Sequence, residues 1–175
     1  SVLEPYDYRD RPPFLAPKGT TNVALQKPVT SSVPPVHGEL KQITDGDKGH
    51  ARNCLVEIPG GVQWVQVDLE KECAIYAVLV WHFHEGKRVY FDMIMQVSDD
   101  PGFKDGVTTL YNNDYDNSSA LGVGEDNEYI ESYRGRLVDT KGVSGRYLRL
   151  YGNGNTADEF NHFIEIEVYG IPKGS

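Results

Sequence analysis

The stretch TDGDKGH, residues 44–50, puts Asp45 and Asp47 on a glycine-hinged turn closed by His50. Such groups could bind a cation, move protons or be solvated; an Asx-turn, with Asp45 bonded to its own backbone two residues on, accounts for the pattern without a ligand. A second stretch, WHFHEGKRVY, places His82 and His84 two residues apart, so that on a strand both imidazoles lie on one face, opposite Trp81 and Phe83. Two imidazoles so placed suit a transition metal. The run DYDNSSALGVGE spaces Asp114, Asp116, Ser118 and Glu125 like a calcium loop. The glycine that such a loop needs at its sixth position is Ser119, and no flanking helices are expected, so the run reads as a long polar loop.

Catalytic patterns are sparse. No Gly-x-Ser-x-Gly elbow occurs, and neither Cys54 nor Cys73 has a histidine beside it. GNGNTA has the spacing of a dinucleotide loop, but a further strand rather than a helix is expected after it, which leaves no helix amino terminus for a pyrophosphate. A carboxylate pair for glycoside hydrolysis depends on a spatial separation that sequence does not contain.

The elements that must carry these residues show period two. In VQWVQVDL, Val65, Val67 and Leu69 share a face; in YFDMIMQVS, Phe91, Met93, Met95 and Val97; in RYLRLY, Leu148 and Leu150; in FIEIEVYG, Ile164, Ile166 and Val168. CAIYAVLVWHF is almost continuously apolar, as for a strand covered on both faces, and Trp64 and Trp81 are expected in the core. Turn clusters separate the strands and no window favours a helix, so the chain is expected to be all-β, an antiparallel β-sandwich of jelly-roll type. Residues 1–21, with mixed charges and many prolines, read as an extended arm or linker, 22–171 as the sandwich domain and 172–175 as a tail.

Composition narrows the partners. The 175 residues are 39% hydrophobic and 25% charged, with 26 acidic against 17 basic side chains, a formal net charge of −9. Such a surface repels nucleic acid and anionic lipid headgroups. No run approaches the ~20 apolar residues that span a bilayer, and residues 1–20 lack the order of a signal peptide. The two cysteines could form a disulfide or remain two buried thiols.

Read in order, NVALQKPVTSS, ITDGD, WVQVDL, YAVLVW, QVSDDPGF, GRYLRLY and IEIEVYG resemble the coagulation factor 5/8 type C, or discoidin, family of galactose-binding-like jelly rolls, from about Asn22 to Gly170. The resemblance implies a structural cation, usually calcium with sodium as a substitute. Its ligands would be the carboxylates of Asp45, Asp47 and Glu165 and backbone carbonyls near Gln42, His50 and Ile164. It also implies a secreted, periplasmic or surface module, similar to bacterial carbohydrate-binding modules and without catalysis of its own, whose ligand is a galactose-type or other glycan. Residue chemistry puts that contact on His82, His84, Arg88 and Tyr90, with Asn112, Asn113 and Asn117 in the long loop and Phe160, Asn161 and His162 before the last strand. The alternatives are a discoidin-type adhesion module with a protein partner, or a jelly-roll enzyme; against a cupin-type metal site, Tyr76 stands where its glycine is expected.

Overall fold

The computed structural model describes residues 2–174, so that Ser1 of the expected arm and Ser175 of the expected tail lie outside the described residues. Nine strands follow in order: β1 Thr21–Asn22, β2 Val29–Ser31, β3 Val56–Ile58, β4 Gln63–Trp81, β5 Ile94–Ser98, β6 Thr108–Asn112, β7 Arg136–Gly152, β8 Asn161–Phe163 and β9 Glu165–Pro172. Short 3₁₀ turns occupy Leu40–Thr44 and Arg52–Cys54. The larger sheet runs β1-β9-β4-β7-β5-β6, with β2 also on β4, and β3 pairs with β8; every pairing is antiparallel.

Alternation builds the core. Val65, Val67, Met95, Leu148, Leu150, Ile166 and Val168 are all at most 1% exposed and pack in one cluster, each contributing about 1.5–3 kcal/mol by leaving water. Ile164 leaves the face expected for it. It lies between β8 and β9, outside strand geometry, and packs with Leu79 and Trp81 in a second cluster. Trp64 is also off the core: half-buried on the outer face, it lies under the Arg149 guanidinium at 4.0 Å. Cys54 and Cys73 are buried free thiols.

The two long strands turn a corner together. Asp68 faces Tyr147 and the next partners are Cys73 and Gly145, so residues 69–72 loop out opposite Arg146. Arg146 clamps the corner with two bonds to Asp68, at 2.8 and 3.0 Å, and this pairing holds the Asp68 carboxyl below its usual range. Gly145 is required there, because a Cβ would lie 2.2 Å from Val97 Cγ2. The corner brings both far ends of β4 to one end of the sandwich. There Asn161, which opens β8, reaches Pro59 and Gly61 ahead of β4 (3.0 and 3.1 Å), while His82 and Phe83 follow β4. A bulge between Ile75 and Ala77 shifts the register, so that Ile75, Val78 and Val80 all face the core while Leu79 and Trp81 face outward.

Residues 2–20 lie along that outward face. Glu4 N–H donates to the Glu128 carbonyl (2.8 Å), and the Glu4 carboxylate accepts two bonds from Arg136, both 2.7 Å. Arg11 donates to the carbonyls of Arg134 and Gly135, both at 2.6 Å, and Arg134 donates to those of Asp7 and Arg9.

Candidate functional site

The loops after β4 (82–93), after β7 (153–160) and before β3 (45–55) meet at the end of the sandwich away from the corner. Their inner layer is polar and buried. His82, 1% exposed, bonds Glu131 through Nδ1 at 2.6 Å and stacks on Tyr90, ring centroids 4.4 Å apart. The Tyr90 hydroxyl donates to the Phe83 carbonyl (3.1 Å) and lies 2.9 Å from His162 Nδ1, whose Nε2 lies 3.0 Å from Glu57. Burial lowers the His162 pKa and raises that of Tyr90, so both are neutral near pH 7. Asn161 bonds the carbonyls of Pro59 and Gly61 and accepts from Gly154 N–H at 3.0 Å. His82, Tyr90, Asn161 and His162 are therefore buried beneath the loops, which they support from below.

The accessible layer is smaller. Arg88 lies over the Phe83 ring at 4.8 Å and donates to Asp158 Oδ2 at 3.0 Å. Phe160 is half-buried, its ring tilted against that of His162 at 6.4 Å, and Phe83 meets the same imidazole edge-on at 6.0 Å. His84, half-exposed, faces the exposed His50 with ring centroids 6.0 Å apart. Aromatic faces rimmed by a guanidinium, a carboxylate and imidazoles can pack against a sugar ring and bond its hydroxyls. Asp158 went unnoticed in the sequence, and Phe83, which packs with Trp81 on one side as alternation expects, was not singled out there as a contact residue.

The long loop contributes little to this patch. Asn112 and Asn113 are buried: Asn112 Nδ2 donates to the Gly122 carbonyl (3.0 Å), and Asn113 Oδ1 accepts from Met93 N–H (2.7 Å). Asn117 is exposed but its Oδ1 is held by Gly122 N–H at 2.8 Å. Asp92, Asp114 and Asp116 bring carboxylate oxygens within 4.8 Å of one another. Asp114, wholly buried, accepts from Ser118 and Ser119 N–H at 3.0 and 2.9 Å, which is how a carboxylate organises a loop.

The TDGD turn meets the last strand. Gly46 N–H donates to Glu165 Oε1 at 3.1 Å, while Glu165 Oε2 is buried with no partner among the described residues. Burial, with the charges of Asp45 and Glu167, pushes the Glu165 pKa up to about 8, against the pull of Gly46 N–H and Lys48. Asp45 Oδ1 also accepts from Asp47 N–H (2.8 Å), the expected Asx-turn. Asp47 points elsewhere, to Gly49 N–H at 2.9 Å and the Cys54 thiol at 3.3 Å. The Gln42 side chain is engaged with the Asn53 carbonyl and Glu39 N–H, both at 2.6 Å, which leaves its backbone as its only plausible donor.

No family model and no curated protein matches the chain by sequence. Solved structures do match by shape. The module CpGH89CBM32-4 of Clostridium perfringens, in complex with GlcNAc-α-1,4-galactose, superposes with a TM-score of 0.63 at 16% identity, over 88% of this chain and 96% of that one. A chitosan-binding module of a chitosanase/glucanase from Paenibacillus sp. IK-5 gives 0.61 at 21% identity, covering 86% and 99%. The fold is that of these carbohydrate-binding modules. Truncated AlyQ, with CBM32 and alginate lyase domains, gives 0.61 at 16% identity over 83% of this chain, which spans only 32% of that protein. The sandwich fold thus occurs both as an isolated module and within larger chains. Among the described residues no helix is long and apolar enough to cross a membrane.

Proposed function

We propose that the chain is a non-catalytic carbohydrate-binding module of a secreted or surface protein that handles polysaccharide. The observation that carries this reading is the patch of Phe83, Phe160, Arg88, Asp158 and His84, rigidly backed by the buried His82–Glu131 and Tyr90–His162–Glu57 contacts. Support comes from the fold, which the modules bound to GlcNAc-α-1,4-galactose and derived from a chitosanase share. Arg88 and Asp158 neutralise each other, so the patch suits sugar hydroxyls rather than a formal charge. The residues near the TDGD turn fit a calcium-type cation. The Glu165 oxygen, without a partner among the described residues and beside Asp45, is a hard oxygen donor, and Asp45, Glu165 and the carbonyls of Gln42 and Ile164 would hold the ion, whose charge would displace the proton that burial favours on Glu165.

The test is titration of neutral galactose- and glucosamine-containing oligosaccharides by calorimetry, with Phe160→Ala and Arg88→Ala beside the parent chain. Each variant should weaken binding about tenfold, since an aromatic face or charged donor at a small-ligand site is worth one to a few kcal/mol, with melting little changed. Silence across a wide glycan panel would move the reading to a protein-interaction module. Separately, a chelator should lower the melting temperature of the parent chain but not of Glu165→Gln; equal melting with and without chelator would remove the cation.

A further inference from the structure

A second aromatic and cationic surface lies on the other side of the molecule, where the arm crosses the turn into β7. Tyr8 is 80% and Tyr133 68% exposed. Tyr6 packs edge-on against Tyr8 with centroids 4.7 Å apart, and the Arg134 guanidinium sits between the rings of Tyr6 and Tyr133, at 5.7 and 5.8 Å. Beside them a cleft of 280 Å³ opens between the arm and the strand, with Arg11, Arg134 and Arg136 on its walls.

The charges there are unevenly matched. Arg136 is committed to Glu4 through two 2.7 Å bonds, and Asp7 to Arg9 at 2.9 Å. Among the described residues the hydrogen bonds of Arg11 and Arg134 go to backbone carbonyls, and Asp7, already bonded to Arg9, is the carboxylate on which the Arg134 charge acts. Burial, and then repulsion from Arg134 and Arg136, depress the Arg11 pKa. Asp10 is the remaining acidic side chain on the lining. In a chain of net charge −9 this cationic spot runs against the overall field.

We propose that the arm and the turn at 132–135 form a second glycan site, selective for sugars that carry a carboxylate, with Tyr8 and Tyr133 as stacking faces and Arg11 and Arg134 as the anion's partners. Exposed tyrosines supply broad contact at low entropic cost, and guanidiniums match a carboxylate with two parallel donors. A phosphate-bearing polymer would be repelled by the rest of the acidic surface over a longer range; a single uronate feels mainly the cleft, within a Debye length of about 8 Å at physiological salt. This site does not depend on the loop-end patch, and the two can fail separately.

The probe is a galacto-oligosaccharide that ends in a single galacturonate, titrated by calorimetry into the intact chain beside the neutral galacto-oligosaccharide of equal length. The uronate should bind with an affinity that falls as salt rises. Tyr8→Ala and Tyr133→Ala, both at exposed positions where folding is not at stake, should each weaken it about tenfold. Asp10→Asn should strengthen it, and Phe160→Ala should leave it unchanged. Absence of uronate binding would overturn the proposal. So would binding that survives both tyrosine variants, or an Asp10→Asn chain with no gain.

Discussion

Asp100 shows how much one side chain in a turn can organise. In the turn after β5 its Oδ1 accepts from Gly102 N–H at 2.9 Å, and its Oδ2 from Lys104 and Asp105 N–H at 2.8 and 3.2 Å. These backbone bonds hold its carboxyl below the usual range. A carboxyl depressed in the folded state stabilises above its unfolded pKa and loses that contribution as the pH falls through the folded value. Stability should therefore fall as the pH drops below the ordinary Asp range, about 4, and Asp100→Asn should melt lower near neutrality but lose less on acidification, as thermal scans from neutral to acid pH would show. The turn itself was legible, because Asp, Pro and Gly in DDPG each favour one. The different fates of His82 and His84 were not. Alternation makes them equivalent, whereas Glu131, 49 residues away, decides which is buried. The same holds for Glu165, whose place against Gly46 was suggested only by resemblance.

At the scale of elements, strand positions were readable because one buried face fixes period two; the corner was not. Nothing in VDLEKECAIY announces that residues 69–72 leave the ladder, and the bulge at Tyr76 that turns Val78 and Val80 inward is equally silent. The corner depends on Gly145, whose missing side chain lets β7 pass against the fully packed Val97. Gly145→Ala should cost about 1–3 kcal/mol through overpacking. Urea unfolding should show a lower midpoint with an unchanged slope, and a midpoint equal to the parent's would mean that Val97 can move aside. Of the loop-end patch, sequence reading named His84, Arg88 and Phe160 but not Phe83 or Asp158 beside them, for a related reason. Loops 82–93 and 153–160 have no period, and Arg88, Phe83 and Asp158 meet through long-range contacts such as the 3.0 Å Arg88–Asp158 bond.

For the whole molecule, the architecture was carried by the absence of helical periods and the regular spacing of turn clusters, whereas the course of residues 2–20 was not, since proline-rich sequence fits a linker and a strap equally well. The packing distinguishes core from cover. The main cluster contains no residue before Val23, so the sandwich should fold without the arm. Yet the arm shields an outward face made by Ala77, Leu79, Leu137 and Tyr169, leaving a 540 Å³ cleft with Phe14 at its edge. It also supplies the Glu4 carboxylate to Arg136, whose guanidinium lies 4.6 Å from the Tyr129 ring and whose Nε has no partner among the described residues. Removing residues 1–19 would expose that apolar face and strip the part-buried Arg136 of its counter-charge, and 1 kcal/mol corresponds to about 2–4 °C at this chain length. The shortened chain should keep its strand circular-dichroism spectrum, melt several degrees lower and bind a hydrophobic dye that the parent does not. An unchanged melting temperature would mean the strap contributes contacts without stability, and loss of the spectrum would mean that the outward face belongs to the core after all.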